Sequence, residues 1–488
     1  MNLRSIARVF ALAVAIGASS SHAVTLNPRG LGQVLIYPYY TVNKQQSTLV
    51  SIVNTSDVGK AVTFRVLEGY NGRDTMDVDV FLSPHDVWTA SLQQISDDGG
   101  AKLVTADKSC TYPAIPAEGI ALSSAAFDGA AGSLFPQDTG PTSITRTREG
   151  SIELFALGDI IPGSDLDIAT RHVQNGTPDA GIPACTDNLL TYAAVNFLSA
   201  PSNGLSGSAA IVNVGQGTFF GYNAAALSGF SDLVLAGRPS IPFPTLRAAY
   251  SPESSVPGGA VAYVSTDSGR PLALDYALGI DAVSAVFTAD AIYNEYLVDA
   301  QLGAQTDWVV TFPTKAFYVD PFFVGSEGVM APFVETFGAS SPGQSNVHFD
   351  MTVYDREEGV LPQVSGVPDV APPALPYQVN VVSFAAPGAG GAVSPVLGSH
   401  LVSAYLPPFG ADGWARIDLA SGDGGHRLRP DAKGAVFSGL PVTGFMVYNI
   451  INAQAQPGML ANYGGVFPHR STISCNGQAA PAGAAVCP

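Results

Sequence analysis

The chain has 488 residues, 46% hydrophobic and only 13% charged, enough apolar material for two or three domains with substantial cores and too much for wholesale disorder. Its 22 Lys and Arg stand against 40 Asp and Glu, a formal charge of −18, which excludes a generic nucleic-acid binder because phosphate backbones demand clustered positive charge. The 52 Gly and 36 Pro require frequent turns.

Residues 1–23 read MNLRSIARVFALAVAIGASSSHA. Arg4 and Arg8 form a positive region, Val9–Ala18 an apolar region, and Ser21-His22-Ala23 a small-residue cleavage pattern. This order predicts a secretory leader cut after Ala23, since the apolar run is too short to span a bilayer easily. Removing Arg4 and Arg8 takes the formal charge from −18 to −20, which discourages contact with bare anionic surfaces. Neither a lipid-acceptor Cys nor a later apolar run of about 20 residues is evident, which favours soluble export or noncovalent envelope attachment.

Val34–Tyr37, Thr48–Val53 and Ala61–Leu67 are strand candidates rich in β-branched and aromatic residues. Asn54-Thr55-Ser56-Asp57 turns between the second and third, and Asn71-Gly72 offers another turn. In Met76–Leu82, Met76, Val78, Val80 and Leu82 share one face while Asp77 and Asp79 share the other, the alternation of a half-buried strand. Two sheets packed face to face bury such strands, with Trp88 and Leu92 closing the core.

Gly-, Ala-, Pro- and Ser-rich stretches around 113–143 predict a long insertion, and Ser151–Leu157 a short strand. The segments 51–55 and 210–214 share Ile-Val-Asn, a three-residue match that coincidence explains better than two related modules do. Val261–Ser265 and Trp308–Phe312 are further strands. Between them, the spacing of Ala282, Ala285, Val286, Ala289, Ile292, Tyr293, Tyr296 and Leu297 predicts a helix over 281–300. Asn346–Tyr354 alternates again, and prolines 368, 372, 373 and 376 predict an extended connection. Val379–Phe384, Trp414–Leu419 and Phe445–Ile451 complete the strands.

The expected architecture is mainly β, with tandem β-sandwich-like domains and long Gly/Pro-rich connections. The expected division is an N-terminal region at 24–190, a middle region at 191–370 and a C-terminal region at 371–488, the last two able to form one domain. The four cysteines allow three full pairings. The simplest is Cys110–Cys185 with Cys475–Cys487, plausible in an oxidising exported compartment. Their spacing does not suit a zinc site.

The sequence shows no Walker A segment, HExxH, CxxCH or GxSxG elbow, and no cofactor or metal is expected. Candidate polar clusters are Asp165, Asp167, Arg171 and His172, better read as a wet strand face, and Asp423, His426, Arg427, Arg429 and Asp431, where arginine donors suit an anionic sugar or phosphate but a solvated turn is the preferred reading. His85 beside Asp86 reads as a turn. Tyr37, Tyr39 and Tyr40 are a candidate glycan platform, although Tyr37 and Tyr39 share an inward strand face. Trp88, Trp308 and Trp414 are expected in cores.

GLGQVLIYPYYTV at 30–42, TLVSIVNTSDVGKAVTFRVLEGYNGRD at 48–74, LSPHDVWTASL at 82–92, TDWVVTFPTKAFYVD at 306–320 and NYGGVFPH at 462–469 resemble segments of uncharacterised exported bacterial cell-surface proteins. The resemblance implies envelope exposure and assigns no residue roles. The expectation is therefore a secreted protein of the cell surface or extracellular space rather than the periplasm. Its expected role is noncatalytic, in adhesion or structure, through β domains and exposed aromatic loops. A protein, an extracellular glycan or a second copy is the expected partner. The other reading is a secreted carbohydrate-active hydrolase, which would need two carboxylates converging in a cleft.

Overall fold

The computed structural model describes residues 22–172, 182–191, 194–236, 244–266, 269, 271–361, 373–384, 393–406, 410–452, 456, 459 and 461–477. Apart from His22 and Ala23, the expected leader lies outside the described residues, as does Cys487. The chain is mainly β, distributed over several sheets.

A ten-stranded sheet organises the N-terminal half. Its path runs Pro271–Tyr276, Ala260–Ser265, Val24–Leu26, Ala225–Ser228, Val34–Thr41, Glu149–Ile160, Lys60–Glu68, Asp74–Leu82 and Cys110–Tyr112, with Leu198–Ser199 beside Glu149–Ile160. A six-stranded sheet covers one face, in the order Thr218–Asn223, Leu205–Asn213, Ser47–Asn54, Val87–Gln94, Ala101–Val104 and Ile120–Ala121. Asn54 marks the crossing between the sheets, its amide donating to Val58 O at 2.8 Å and Ser83 O at 2.9 Å. Leu35, Tyr37, Phe64, Val78 and Leu154 meet Ile52, Trp88, Leu92 and Leu103 between the two. Each fully buried apolar side chain of this kind contributes roughly 1.5–3 kcal/mol relative to exposure.

The other face of the ten-stranded sheet is also covered. Val34, Ile36, Phe155 and Leu157 pack in one core with Phe230, Leu246 and the helix Gly279–Phe287. Val34–Thr41, Lys60–Glu68 and Glu149–Ile160 are consequently buried at every position. Two covered faces explain why these strands read as continuous rather than alternating runs. Asp74–Leu82, nearer the edge, shows the expected exposure of Asp77. Pro38 is tolerated inside this sheet beside a bulge where Gly150 and Ile152 slip against the strand Val34–Thr41. A Cβ on Gly150 would lie 1.9 Å from Leu67 O, so the close approach needs glycine.

A second sandwich follows from two five-stranded sheets. One is Val360–Leu361, Asp350–Asp355, Asp412–Asp418, Ala291–Leu297 and Arg470–Thr472; the other is Val402–Leu406, Val379–Phe384, Ala304–Thr311, Thr443–Ile450 and Tyr463–Pro468. Tyr296 of the first stacks on Phe384 of the second at 5.0 Å, and Trp308 packs on the same ring. The outward side of the second sheet meets the first sandwich: Val309, Val381 and Phe445 share a cluster with Tyr39, Ile211 and Phe220.

Two expectations change, the boundary at residue 190 and the helix over 281–300. Residues 205–276 add strands to both sheets begun before residue 190, and Ala304–Thr311 pairs directly with Val379–Phe384 across residue 370. Residue 190 therefore does not separate one sheet system from the next, while the pairing across residue 370 agrees with the option that the middle and C-terminal regions form one domain. The segments sharing Ile-Val-Asn lie on neighbouring antiparallel strands of a single sheet rather than in two modules. The helix expected over 281–300 ends at Phe287, and Ala291–Leu297 is a strand. There Ile292 and Tyr296 turn inward while Tyr293, Glu295 and Leu297 turn outward, a two-residue period that pairing with Asp412–Asp418 enforces. The Cys110–Cys185 disulfide is present.

Candidate functional site

The tyrosine platform is corrected by the covered sheet. Tyr37, Tyr39 and Tyr40 are each 0% exposed, and their hydroxyls donate inward to Ser51 O, a Glu149 carboxylate oxygen and Thr147 O, each at 2.9 Å. Burial pushes all three phenols above their ordinary range. These rings offer no face to a ligand; they anchor the core.

The DLDIATRH set is not a strand edge. Asp165–Thr170 is a short helix whose N-cap Ser164 accepts from Asp167 N. Arg171 pairs with Asp167 at 2.7 Å, and His172 pairs with Asp86 at 3.2 Å. Burial works against the Asp167 charge, yet the Arg171 guanidinium and Gly163 N–H hold its carboxyl below the usual range. His85 bonds Asp57 at 3.0 Å rather than its neighbour Asp86.

The late Gly-rich loop also disperses. His426 is buried and its Nδ1 lies 2.8 Å from Pro332 O, while Arg429 reaches Asp281 at 2.8 Å. Arg427 is exposed, with its backbone bridged to Ser438. The three side chains do not converge on one ligand.

The interior holds charges the sequence reading overlooked. Glu68 pairs with Arg146 and Arg73 with Asp320, each at 2.7 Å and almost fully buried. Glu149 accepts from Tyr39, from Ser399 Oγ at 2.6 Å and from His400 N at 2.8 Å. Asp307 accepts from Ser383 Oγ and from the N–H groups of Val396 and Leu397. The Lys315 ammonium donates to three carbonyls, of Ser345, Leu375 and Tyr377. Their hydrogen bonds join distant segments, and such satisfied interior polar groups cross-link a fold.

Two surface features among the described residues bear on recognition. The first is the outer face of the six-stranded sheet. Register aligns Gly221, Ala210, Leu49, Ser91 and Val104 in one row and Asn223, Ser208, Ser51 and Thr89 in the next. They line a shallow hollow of about 1080 Å³ whose charged members, Asp107 and Lys108, come from the adjoining loop. Phe219 at its margin is 64% exposed.

The second feature lies on the outer face of the second sandwich. Trp414, expected in a core, is 39% exposed. It shares the wet side of its strand with Asp412, Arg416 and Asp418, a signal legible in DGWARID. Tyr354 covers one indole face, the rings 4.1 Å apart and 8° from parallel. On the other flank lies a pocket of about 600 Å³, lined by Trp414, Tyr293, Leu297, Glu295, Arg470, Asp412 and Arg356 among others. Arg470 pairs with Glu295 at 3.0 Å and Arg356 with Asp412 at 3.3 Å.

Among the described residues no group of three or more His, Cys, Asp or Glu is placed to hold a metal ion, and no helix is long and apolar enough to cross a membrane. No family profile, curated protein or solved structure matches the chain. Its functional reading therefore rests on the chemistry of these surfaces.

Proposed function

We propose that this chain is an exported cell-envelope or extracellular protein of structural or adhesive role, whose β-sandwiches present a recognition face to another macromolecule. The observation that carries this reading is the outer face of the six-stranded sheet. Across its centre, small hydroxyl and apolar side chains replace the charged ones that ordinarily keep an exposed sheet face wet. A broad, shallow, neutral hollow suits a protein or glycan surface better than a small reacting substrate, which calls for deeper enclosure. The Cys110–Cys185 bridge and the leader pattern support an oxidising destination.

Expressed with its leader, the chain is expected outside the cytoplasm, and the secreted form is expected to co-sediment with isolated cell envelopes. Ser208→Arg places a cation at an exposed position in the middle of the face. Desolvating that unpaired charge should lower the bound fraction roughly tenfold with the melting temperature unchanged. Cytoplasmic retention, or equal sedimentation of both forms, overturns the reading.

A further inference from the structure

The pocket beside Trp414 has a construction unlike the neutral sheet face. Three neighbouring strands place Glu295, Trp414 and Tyr354 in one row. Tyr354 stacks on the indole from one neighbouring strand, and the strand Ala291–Leu297 lies on its other side. Tyr293 and Leu297 line the same pocket, while Glu295 with Arg470 and Asp412 with Arg356 bring two carboxylates and two guanidiniums to it. Among the four charged lining residues each has an opposite partner and the sum is neutral, in a chain of net charge −18; Arg356 also reaches Glu357, outside the lining, at 3.4 Å.

We propose that this pocket binds a neutral saccharide. A sugar ring has a face rich in C–H groups, which packs on an aromatic plane, and a rim of hydroxyls, which donate to carboxylates and accept from guanidiniums. The pocket supplies both kinds of surface at once. A purely apolar ligand would leave the four charged groups without new partners and would desolvate them at a cost. An anion meets Glu295 and Asp412, and a cation meets Arg470 and Arg356, so the paired charges favour an uncharged ligand. The volume of about 600 Å³ falls in the range usual for small-ligand sites, roughly 300–1,000 Å³. This site is separate from the six-stranded face and does not rest on the envelope reading; either can fail alone.

The test uses the purified full chain, from whichever compartment holds it, with two neutral probes, cellotetraose and tetraacetylchitotetraose, and with tetramethylammonium as a cation. Of the three tryptophans, Trp88 and Trp308 are 0% exposed, so ligand-dependent emission reports chiefly on Trp414. At least one oligosaccharide should shift the emission and release heat in calorimetry up to millimolar concentration. In calorimetry Trp414→Ala should abolish binding. Glu295→Gln, which keeps the shape and removes a charged acceptor, should weaken it about tenfold. Circular dichroism and melting temperature should be unchanged in both variants. Absence of binding by both oligosaccharides, retention of binding by a folded Trp414→Ala chain, unchanged affinity in Glu295→Gln, or a stronger response to tetramethylammonium overturns the assignment.

Discussion

Glu153 shows how burial changes the meaning of a charge. It lies within the fully buried strand Glu149–Ile160. Desolvation is the main influence on its carboxyl, opposed by Arg65 and reinforced by Asp77, and pushes it up to about 7. A carboxyl raised in the folded state stabilises at pH below its unfolded value, and that contribution is lost as pH climbs through about 7. Glu153→Gln should therefore gain on the parent chain between pH 4.5 and 8, by on the order of 3 kcal/mol. Urea midpoints across that interval check the prediction, and a constant difference between the two chains refutes it. Asp79, pushed up to about 6 mainly by burial, keeps some of the same slope in the variant. His469 has the opposite sign. Burial lowers its imidazole to about 4, so its contribution holds above its ordinary range near pH 6.5 and falls away as pH drops through 4. Its ring is satisfied when neutral, with Nε2 donating to Val309 O at 2.9 Å and Nδ1 accepting from the Asn294 amide at 3.2 Å.

Among the elements, the segment from Cys110 to Cys185, 75 residues apart in sequence and including the central strand Glu149–Ile160, is closed by a disulfide. A loop of that length loses much conformational freedom in the unfolded chain when bridged. The Cys110→Ser/Cys185→Ser chain should lose about 4 kcal/mol of stability in urea unfolding; an unchanged midpoint would show that the bridge does not constrain the unfolded state. The strands of the first sandwich were largely legible, because Met76–Leu82 alternates and Thr48–Val53 is rich in β-branched residues. Two elements were not, and for related reasons. Over 281–300 the apolar residues fit a helical count, but Ile292 and Tyr296 are drawn into a sheet by partners more than a hundred residues away. At Trp414 residue type suggested a core, whereas the charged residues at alternate positions gave the correct face. Alternation puts Tyr37 and Tyr39 on one inward face; both are buried, but on opposite sides of their strand. The bulge opposite Gly150 and Ile152 shifts the alternation, so Tyr37 and Tyr40 face the space between the two sheets while Tyr39 turns to the opposite side against Val309 and Phe445, a fact of tertiary structure that periodicity does not carry.

Across the whole molecule the two sandwiches are joined through their interiors. Arg73 and Asn71 of the first meet Asp320, and Glu149 receives the Ser399 hydroxyl and His400 N–H. One apolar cluster includes both Ile36 and Trp308. Such ties should make unfolding a shared event rather than a sequence of separate ones. A Trp308→Phe/Trp414→Phe chain leaves Trp88 to report on the first sandwich, and a Trp88→Phe/Trp414→Phe chain leaves Trp308 to report on the second. Each midpoint, compared with that of circular dichroism on the same chain, should coincide with it; a fluorescence transition displaced from the global one in either chain would reveal independent units. The topology has a further consequence for biogenesis. Val24–Leu26 is flanked by Ala225–Ser228 and Ala260–Ser265, and Thr25 lies 203 residues from its partner Ser228. A polypeptide delivered amino end first must hold that opening strand without neighbours until most of the N-terminal half has arrived. Vectorial delivery thus postpones closure of the central sheet and lengthens the interval in which a holding factor would protect the nascent chain from aggregation.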